Sequence, residues 1–447
     1  MKSFLGLVVL CCWVGAGWAA NEHAPGTTKE TVLRWVEAFR SAKPEFQAGE
    51  TLKLDDLEKA RPFLPPGYFE EYDFPDVEFV ITQTGEYPPH PAYREATEKF
   101  AGQTRLAADG ALENYTAGQP FPNASLDTRD PESGIKAAWN FNFRWQHYGQ
   151  RVNRYAYLLV RGGGTHGPIA ELPEGVIRGA GGQIERVLWQ RYQRVYFTHL
   201  AILPTNNYTF PAPEAKQFEF KDYSEFLAPY EQRGQRAVIQ RPADPRLADQ
   251  AWSYSPSLRR VRRFSAEERA DSFAGTDTTL DDFYGFSGHP LDYNWTFHGW
   301  KEVLHVMNSR SPYPHYYGPN GWLPYDRWEL RRCAVVEMAP KDPRHPYSSK
   351  LLFWDAQTYR TAIALAFDRD GKLWKIWQPQ NSWSEDTVEQ PNPDRGLFIA
   401  RYEGVPTIDV QSRQATLYIT FEMDYPAVAP VDIEGLFDLN KLTEGRR

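Results

Sequence analysis

Arg259, Arg260, Arg262 and Arg263 flank Val261, and guanidinium groups this dense recognise carboxylate or phosphate through paired hydrogen bonds. Strand alternation would put Arg260 and Arg262 on one face and Arg259 and Arg263 on the other. Cross-strand ion pairing with Asp277, Asp281 and Asp282 is the ordinary role for such a run, and a site for an anionic head group is the sharper one. A second constellation is apolar. Trp139, Phe141, Phe143 and Trp145 alternate with Asn140, Asn142, Arg144 and Gln146, a period of two that predicts a strand with one aromatic face. Most such faces are core, but on a curved sheet they can line a lipid pocket. Trp300, Val303, Leu304 and Met307 have the spacing of one helix face over Gly299 to Asn308, either core or a lid on an apolar cavity, with Lys301 on the exposed side.

Other chemistry is poorly supported. Gly285-Phe286-Ser287-Gly288-His289 begins like a nucleophile elbow, yet His289 stands where the last glycine is required. The ten histidines show no metal-ligand spacing, and the single mature cysteine adds none, so neither a metal nor another cofactor is expected. Gly162-Gly163-Gly164 lacks the lysine of a phosphate-binding loop and reads as a flexible turn. Asp281-Asp282 would point oppositely in a strand, whereas acid and base partners must face each other. The chain is therefore read as a binder rather than an enzyme.

The elements that position these groups are mainly strands. Thr27 and Glu30 have capping-box spacing ahead of Val32, Trp35, Val36 and Phe39, which predicts a short amphipathic helix. A second short helix, Leu54 to Ala60, stops before Pro62. Strand patterns follow at Arg154–Val160, Val195–Ile202, Trp328–Met338, Leu351–Trp354, Thr361–Phe367, Lys372–Trp377 and Thr416–Met423. Asp109-Gly110 and Asp368-Arg369-Asp370-Gly371 are hairpin turns. Short turns between neighbouring strands predict an antiparallel sheet, and the absence of alternating strand and helix argues against a parallel-sheet enzyme.

At the N-terminus, Lys2 precedes an apolar run from Phe4 to Val14 and then Gly17-Trp18-Ala19, the pattern of a cleaved secretory leader over residues 1–20. Residues 21–447 are then one large β-rich domain, soluble and periplasmic. Cleavage leaves Cys333 alone, so a core rather than a disulfide must hold the fold. The precursor's net charge of −8 argues against general attraction to nucleic acid.

Segments spread over nearly the whole mature chain carry a family resemblance. They include Phe100-Ala101-Gly102-Gln103, Gly118-Gln119-Pro120-Phe121-Pro122, Trp252-Ser253-Tyr254-Ser255-Pro256, the arginine run, Gly275-Thr276-Asp277, Gly285-Phe286-Ser287-Gly288, Glu337-Met338-Ala339-Pro340-Lys341 and Asp368 to Trp374. In these the chain resembles the exported bacterial domain-of-unknown-function family 1329, similar in fold to the lipoprotein carriers of the outer-membrane sorting pathway. The resemblance implies a mainly β fold with helices (α+β), a curved antiparallel half-barrel closed by a helical lid around an apolar interior. It also implies a hydrophobic or amphiphilic ligand, such as a lipid, acyl chain or sterol-like molecule. An inner-membrane lipid exporter and an outer-membrane protein are the implied partners. No catalytic residues are established for the family, and none are carried over. The chain is more than twice as long as a typical lipoprotein carrier, so its cavity need not have the same shape. The expected ligand contacts are Trp139, Phe141, Phe143, Trp145, Trp300, Val303, Leu304 and Met307, with Arg260 and Arg262 at the rim. The competing reading, motivated by 15 Trp and 25 Tyr, is a secreted carbohydrate-active or glycan-binding protein.

Overall fold

The computed structural model describes residues 26–167, 169, 171–179, 181–264, 270–386, 393–426 and 434–443; the expected leader lies outside them. The chain begins with α1 (Lys29–Ala38), β1 (Thr51–Leu52), β2 (Phe79–Ile81), α2 (Pro91–Lys99), β3 (Arg105–Leu106), β4 (Leu112–Glu113) and α3 (Ser133–Asn142). A meander follows through β5 (Gly149–Thr165), β6 (Gly181–Tyr196), β7 (Phe218–Ala228), β8 (Arg236–Pro242), β9 (Gln250–Ser255) and β10 (Arg260–Phe264). Then come β11 (Tyr293–His305), β12 (Tyr316–Tyr317), β13 (Leu323–Pro324), β14 (Arg327–Pro340), β15 (Ser349–Asp355), β16 (Thr361–Phe367) and β17 (Leu373–Trp377). The last elements are β18 (Gln380–Trp383), β19 (Ala400–Asp409), β20 (Gln414–Asp424) and α4 (Glu434–Phe437).

Sixteen of these strands form one open sheet, ordered β1-β2-β14-β15-β16-β17-β19-β20-β5-β6-β7-β8-β9-β10, with β11 paired to β14 and β18 to β19. Pairing is antiparallel except where β2 meets β14 in parallel, Val80 beside Arg327 and Ile81 beside Trp328. The pairing of β20 with β5 joins the two halves of the sheet, with Thr416 opposite Leu159. The protein is therefore mainly β with a few helices, as expected.

Both faces of the sheet centre are covered, which is why β15 and β16 are buried at every position and why β16 and the Leu351–Trp354 part of β15 read as apolar runs. On one face Val32, Trp35 and Val36 of α1 and the 3-10 helix Leu54–Phe63 pack on Leu351, Phe353, Ile363 and Leu365. Each such side chain contributes roughly 1.5–3 kcal/mol when fully buried. On the other face Ala137, Ala138 and Phe141 of α3 meet Leu352, Trp354, Ala364 and Ala366. The α1 cap is Thr28, one residue later than expected, and its hydroxyl accepts the Thr31 N–H at 3.3 Å. No helix among the described residues is long and apolar enough to cross a membrane.

Two elements differ from the sequence reading. Trp139 and Phe141 lie in α3, Phe143 is its C-cap and Trp145 follows it, so these four residues do not form a strand. Lys136-Ala137-Ala138 favours helix, and Gly134 lets α3 seat on β11, where a Cβ would come within 2.4 Å of the Trp295 backbone. The alternating Asn140 is a buried clamp: Nδ2 donates to Phe121 O and the Tyr359 hydroxyl, both at 2.8 Å, and Oδ1 accepts the Phe121 N–H at 2.9 Å. Conversely, Trp300, Val303 and Leu304 lie in strand β11 and Met307 just beyond it, so there is no helix here. A register shift between Phe297 and Trp300 breaks the period of two and produces helix-like spacing. Gly299 adopts φ +97° within that shift. Lys301, expected to be exposed, is 1 % exposed. The Gly162–Gly164 segment belongs to β5 rather than to a free turn. The expected Val195–Ile202 strand ends at Tyr196, inside β6.

Candidate ligand-binding site

Residues 270–292, leading into β11, cross the α3 side of the sheet through the short 3-10 turns Phe273–Gly275, Leu280–Gly285 and Pro290–Asp292. Polar tethers hold this segment. Asp277 accepts from Thr416 Oγ1 at 2.8 Å and Gln414 Nε2 at 2.7 Å, while Lys375 Nζ donates to its carbonyl at 2.6 Å. Asp282 caps the Thr279 N–H at 2.9 Å and receives Lys350 Nζ at 2.6 Å and the Tyr347 hydroxyl at 2.9 Å. Burial raises the Asp282 carboxyl, but Lys350 and Lys375 outweigh it and hold the group below the usual range. Lys350 also donates to Gly285 O at 2.8 Å.

Tyr284 takes a left-handed conformation at φ +60°, followed by Gly285 at φ +86°. A non-glycine residue there costs roughly 1–2 kcal/mol, and Thr361 Oγ1 holds the turn by donating to Tyr284 O at 2.6 Å. The result is a buried ring whose hydroxyl accepts Gln150 Nε2 at 2.5 Å. Gln150 Oε1 in turn accepts the Tyr425 hydroxyl at 3.2 Å, and that oxygen accepts Arg360 Nη2 at 3.2 Å. Arg144 completes the chamber. Its guanidinium lies 4.2 Å from the Phe141 ring centroid and 5.2 Å from that of Tyr284, and Nη1 donates to Phe141 O at 2.7 Å.

Nearby arginines are paired: Arg194 grips Asp222 at 2.7 and 2.6 Å, and Arg241 grips Asp249 at 3.0 and 2.9 Å. Arg144 and Arg360 have no such carboxylate among the described residues, and Arg144 Nε and Arg360 Nη1 meet no acceptor. Burial, then the charge of Arg360, pushes the Arg144 guanidinium down to about 10. Free volume of about 10 Å³, room for about one water, lies against Phe141, Arg144, Tyr284 and Phe286, and Arg194, Arg241 and the buried Glu219 carboxylate also line it. The arrangement is a narrow aromatic chamber with three arginines against one carboxylate, Glu219, which accepts Asn142 Nδ2 at 2.9 Å; the spare Arg144 donor suits it to an anionic group. Among the described residues no cluster of three or more His, Cys, Asp or Glu side chains is placed to hold a metal ion.

The expected contact residues are divided. Phe141, Trp145 and Trp300 share the aromatic core beneath the 272–292 segment. Val303 and Leu304 lie in the core under α1, and Met307 packs with Tyr87 and Ala400. Trp139 donates Nε1 to Gly110 O at 2.8 Å and stacks on Phe143 at 5.9 Å, the i, i+4 neighbour of a helix. Arg260 and Arg262 are exposed on the terminal strand β10. Their expected partners are used elsewhere: Asp277 by Thr416, Asp282 by Lys350, and Asp281 by the Tyr293 hydroxyl at 2.9 Å. The Gly285–Gly288 motif runs from a 3-10 turn into another turn, without the strand and helix of a nucleophile elbow. Arg144, Tyr284, Arg360 and Tyr425 escape the sequence reading. The one local signal was Arg144, a charge among the alternating aromatics.

The chain is thus a mainly β protein built on one open sixteen-stranded sheet with an aromatic chamber against one face. The chain belongs to the family described as "Protein of unknown function (DUF1329)", which matches residues 55–429. An uncharacterised protein of Pseudomonas aeruginosa is 27% identical over 360 residues, 76% of this chain and 69% of the relative. Among solved structures, a putative outer membrane lipoprotein-sorting protein domain from Vibrio parahaemolyticus is similar at 15% identity and TM-score 0.44, covering 70% of this chain and 100% of that one. A DUF1329 family protein from Desulfovibrio piger is similar at 13% identity and TM-score 0.39, over 65% and 92% of the two chains. A LolA superfamily protein from Nitrosomonas europaea is similar at 13% identity and TM-score 0.32, over 62% and 86%.

Proposed function

We propose that this is an exported, periplasmic binding or carrier protein for a hydrophobic or amphiphilic ligand, a lipid, acyl chain or sterol-like molecule, serving envelope lipid transport. In this reading residues 1–20 are a cleaved leader and residues 21–447 one ligand-binding domain, its sheet a curved half-barrel. An inner-membrane exporter delivers the ligand and an outer-membrane partner receives it. The observation that carries the reading is the 272–292 segment, an irregular cover over an aromatic sheet face, held by tethers such as Asp282–Lys350 and Asp277–Thr416. A stretch without regular pairing opens at lower free energy than the strands beneath it. It takes the place of the helical lid implied by the resemblance. Lifting it would draw Phe286 away from Phe141 and Trp295 and uncover the rings of Phe141, Trp295 and Trp354, which already contact one another. Trp145 and Trp300 extend this surface, Trp139 and Phe143 border it, and Arg260 and Arg262 remain rim candidates.

The glycan-binding alternative requires exposed rings on which sugars stack. Among the described residues the exposed large hydrophobic side chains include one aromatic, Tyr230 at 88 %, so enclosed rings favour an apolar ligand. The test combines native mass spectrometry of protein purified from its own envelope with titration of a fluorescent fatty-acid probe and a fluorescent sterol. A co-purified lipid and saturable probe binding are expected. A co-purified glycan, with neither probe bound by wild type or by a variant freed of the Asp282 tether, would overturn the proposal.

A further inference from the structure

We infer that the ligand is an anionic amphiphile whose carboxylate or phosphate head is received by Arg144 in the chamber closed by Tyr284, with Arg360, at the far end of the Tyr284–Gln150–Tyr425 hydrogen-bond chain, as its second cation. The inference rests on the carrier reading and deepens it. Its basis is a contrast among buried arginines. Arg194, Arg241 and Arg331 each form an ion pair with an aspartate, at 2.6, 2.9 and 2.8 Å respectively. Arg144 and Arg360 are equally buried, 6 % and 3 % exposed, yet among the described residues their hydrogen bonds go to a carbonyl and a phenol and leave one N–H on each without an acceptor. An enclosed cation with an unused donor is costly, and an incoming oxyanion both neutralises it and accepts the spare N–H.

The surroundings favour a head group attached to an apolar chain over a free ion. Phe141 and Tyr284 bracket the Arg144 guanidinium, and Tyr284 leads through Gln150 and Tyr425 to Arg360. Phe141 also stacks on Trp354 at 4.6 Å, so the chamber floor continues into the aromatic face beneath the cover. Space for about one water means the Tyr284–Gly285 turn must shift when the head enters. That turn is already strained and held from the sheet by Thr361.

The test uses the mature full-length protein and calorimetric titration of three probes: palmitate below its micelle concentration, hexadecanol carried in cyclodextrin, and acetate. Palmitate is expected to bind at least about tenfold more tightly than hexadecanol, on the scale of one charge-assisted hydrogen bond. Arg144→Gln and Arg360→Gln should each erase most of that acid-to-alcohol ratio, and Arg360→Lys should restore part of what Arg360→Gln loses. Thermal melts of each variant establish folding. Should Arg144→Gln unfold, the Arg360 pair of variants and the wild-type acid-to-alcohol ratio decide the matter. Equal affinity for palmitate and hexadecanol would overturn the head-group assignment while leaving the carrier reading intact. Acetate binding as tightly as palmitate would overturn it in favour of a free-anion site. Binding of none of the three would overturn both.

Discussion

Lys350 Nζ lies 2.6 Å from Asp282 Oδ1 with both side chains 1 % exposed, an ion pair joining the centre of the sheet to the segment that crosses it. Removing one partner strands the other charge. Asp282→Ala or Lys350→Ala should therefore each cost about 3–5 kcal/mol, whereas Asp282→Asn with Lys350→Met should recover much of the loss. Urea unfolding of the three variants measures this. Asp282 is held below the ordinary 3.8, so its contribution is full above that pH and is lost as pH falls through its lower folded value.

Gly285 and Thr361 set the chamber roof. A Cβ on Gly285, at φ +86°, would lie 2.7 Å from the Thr361 side chain. Gly285→Ala combines backbone strain with that clash and should lower stability by more than about 1 kcal/mol. Thr361→Ser in the same background removes the offending methyl and should recover part of the loss in thermal melts.

Lys301 provides an alkaline signature. Its ammonium donates to Pro62 O at 2.7 Å and Glu302 O at 2.8 Å beside the Trp35 and Phe63 rings, and burial pushes it down to about 8. Below pH 8 both folded and unfolded states keep the proton. Between 8 and 10.5 the folded state releases it first, so this group's contribution to stability rises across that window. Denaturant midpoints at pH 7.5 and 9.5 should show an increment that is absent in Lys301→Met.

Two arginines from one half of the sheet should behave oppositely. Arg260 is exposed on β10, and Arg260→Ala should change stability by no more than about 0.5 kcal/mol. Arg241, 3 % exposed and bidentate to Asp249, should cost about 3–5 kcal/mol when truncated. Chemical denaturation of both variants separates a solvated charge from a structural one.

Most strands were legible because their signal is local. Thr361–Phe367 was read with its observed bounds, since an apolar run ending in Asp368-Arg369-Asp370-Gly371 needs only its own turn to be recognised. The failures are also local in origin. Four residues of alternation at the end of α3 outweighed the helix-forming residues before them, and a register shift at Gly299 gave β11 a helical period. Neither the packing of Gly134 on Trp295 nor the approach of Arg40 to the Trp300 carbonyl, 3.3 Å away and 260 residues distant, is encoded in a short window.

The sequence by itself determined the family, the mainly β class, the turns and the presence of a large aromatic core, because composition, periodicity and ordered motifs act within a few residues of themselves. Only the tertiary structure decided which arginines matter. The conspicuous run at 259–263 falls on a terminal strand, where water solvates it. Arg144 and Arg360, isolated in sequence, are linked through Tyr284, Gln150 and Tyr425 because β20 pairs with β5 and brings Tyr425 to Gln150 across 275 residues. Burial, and the lack of a carboxylate partner among the described residues, are properties of that long-range pairing. They turn two ordinary arginines into the candidate site.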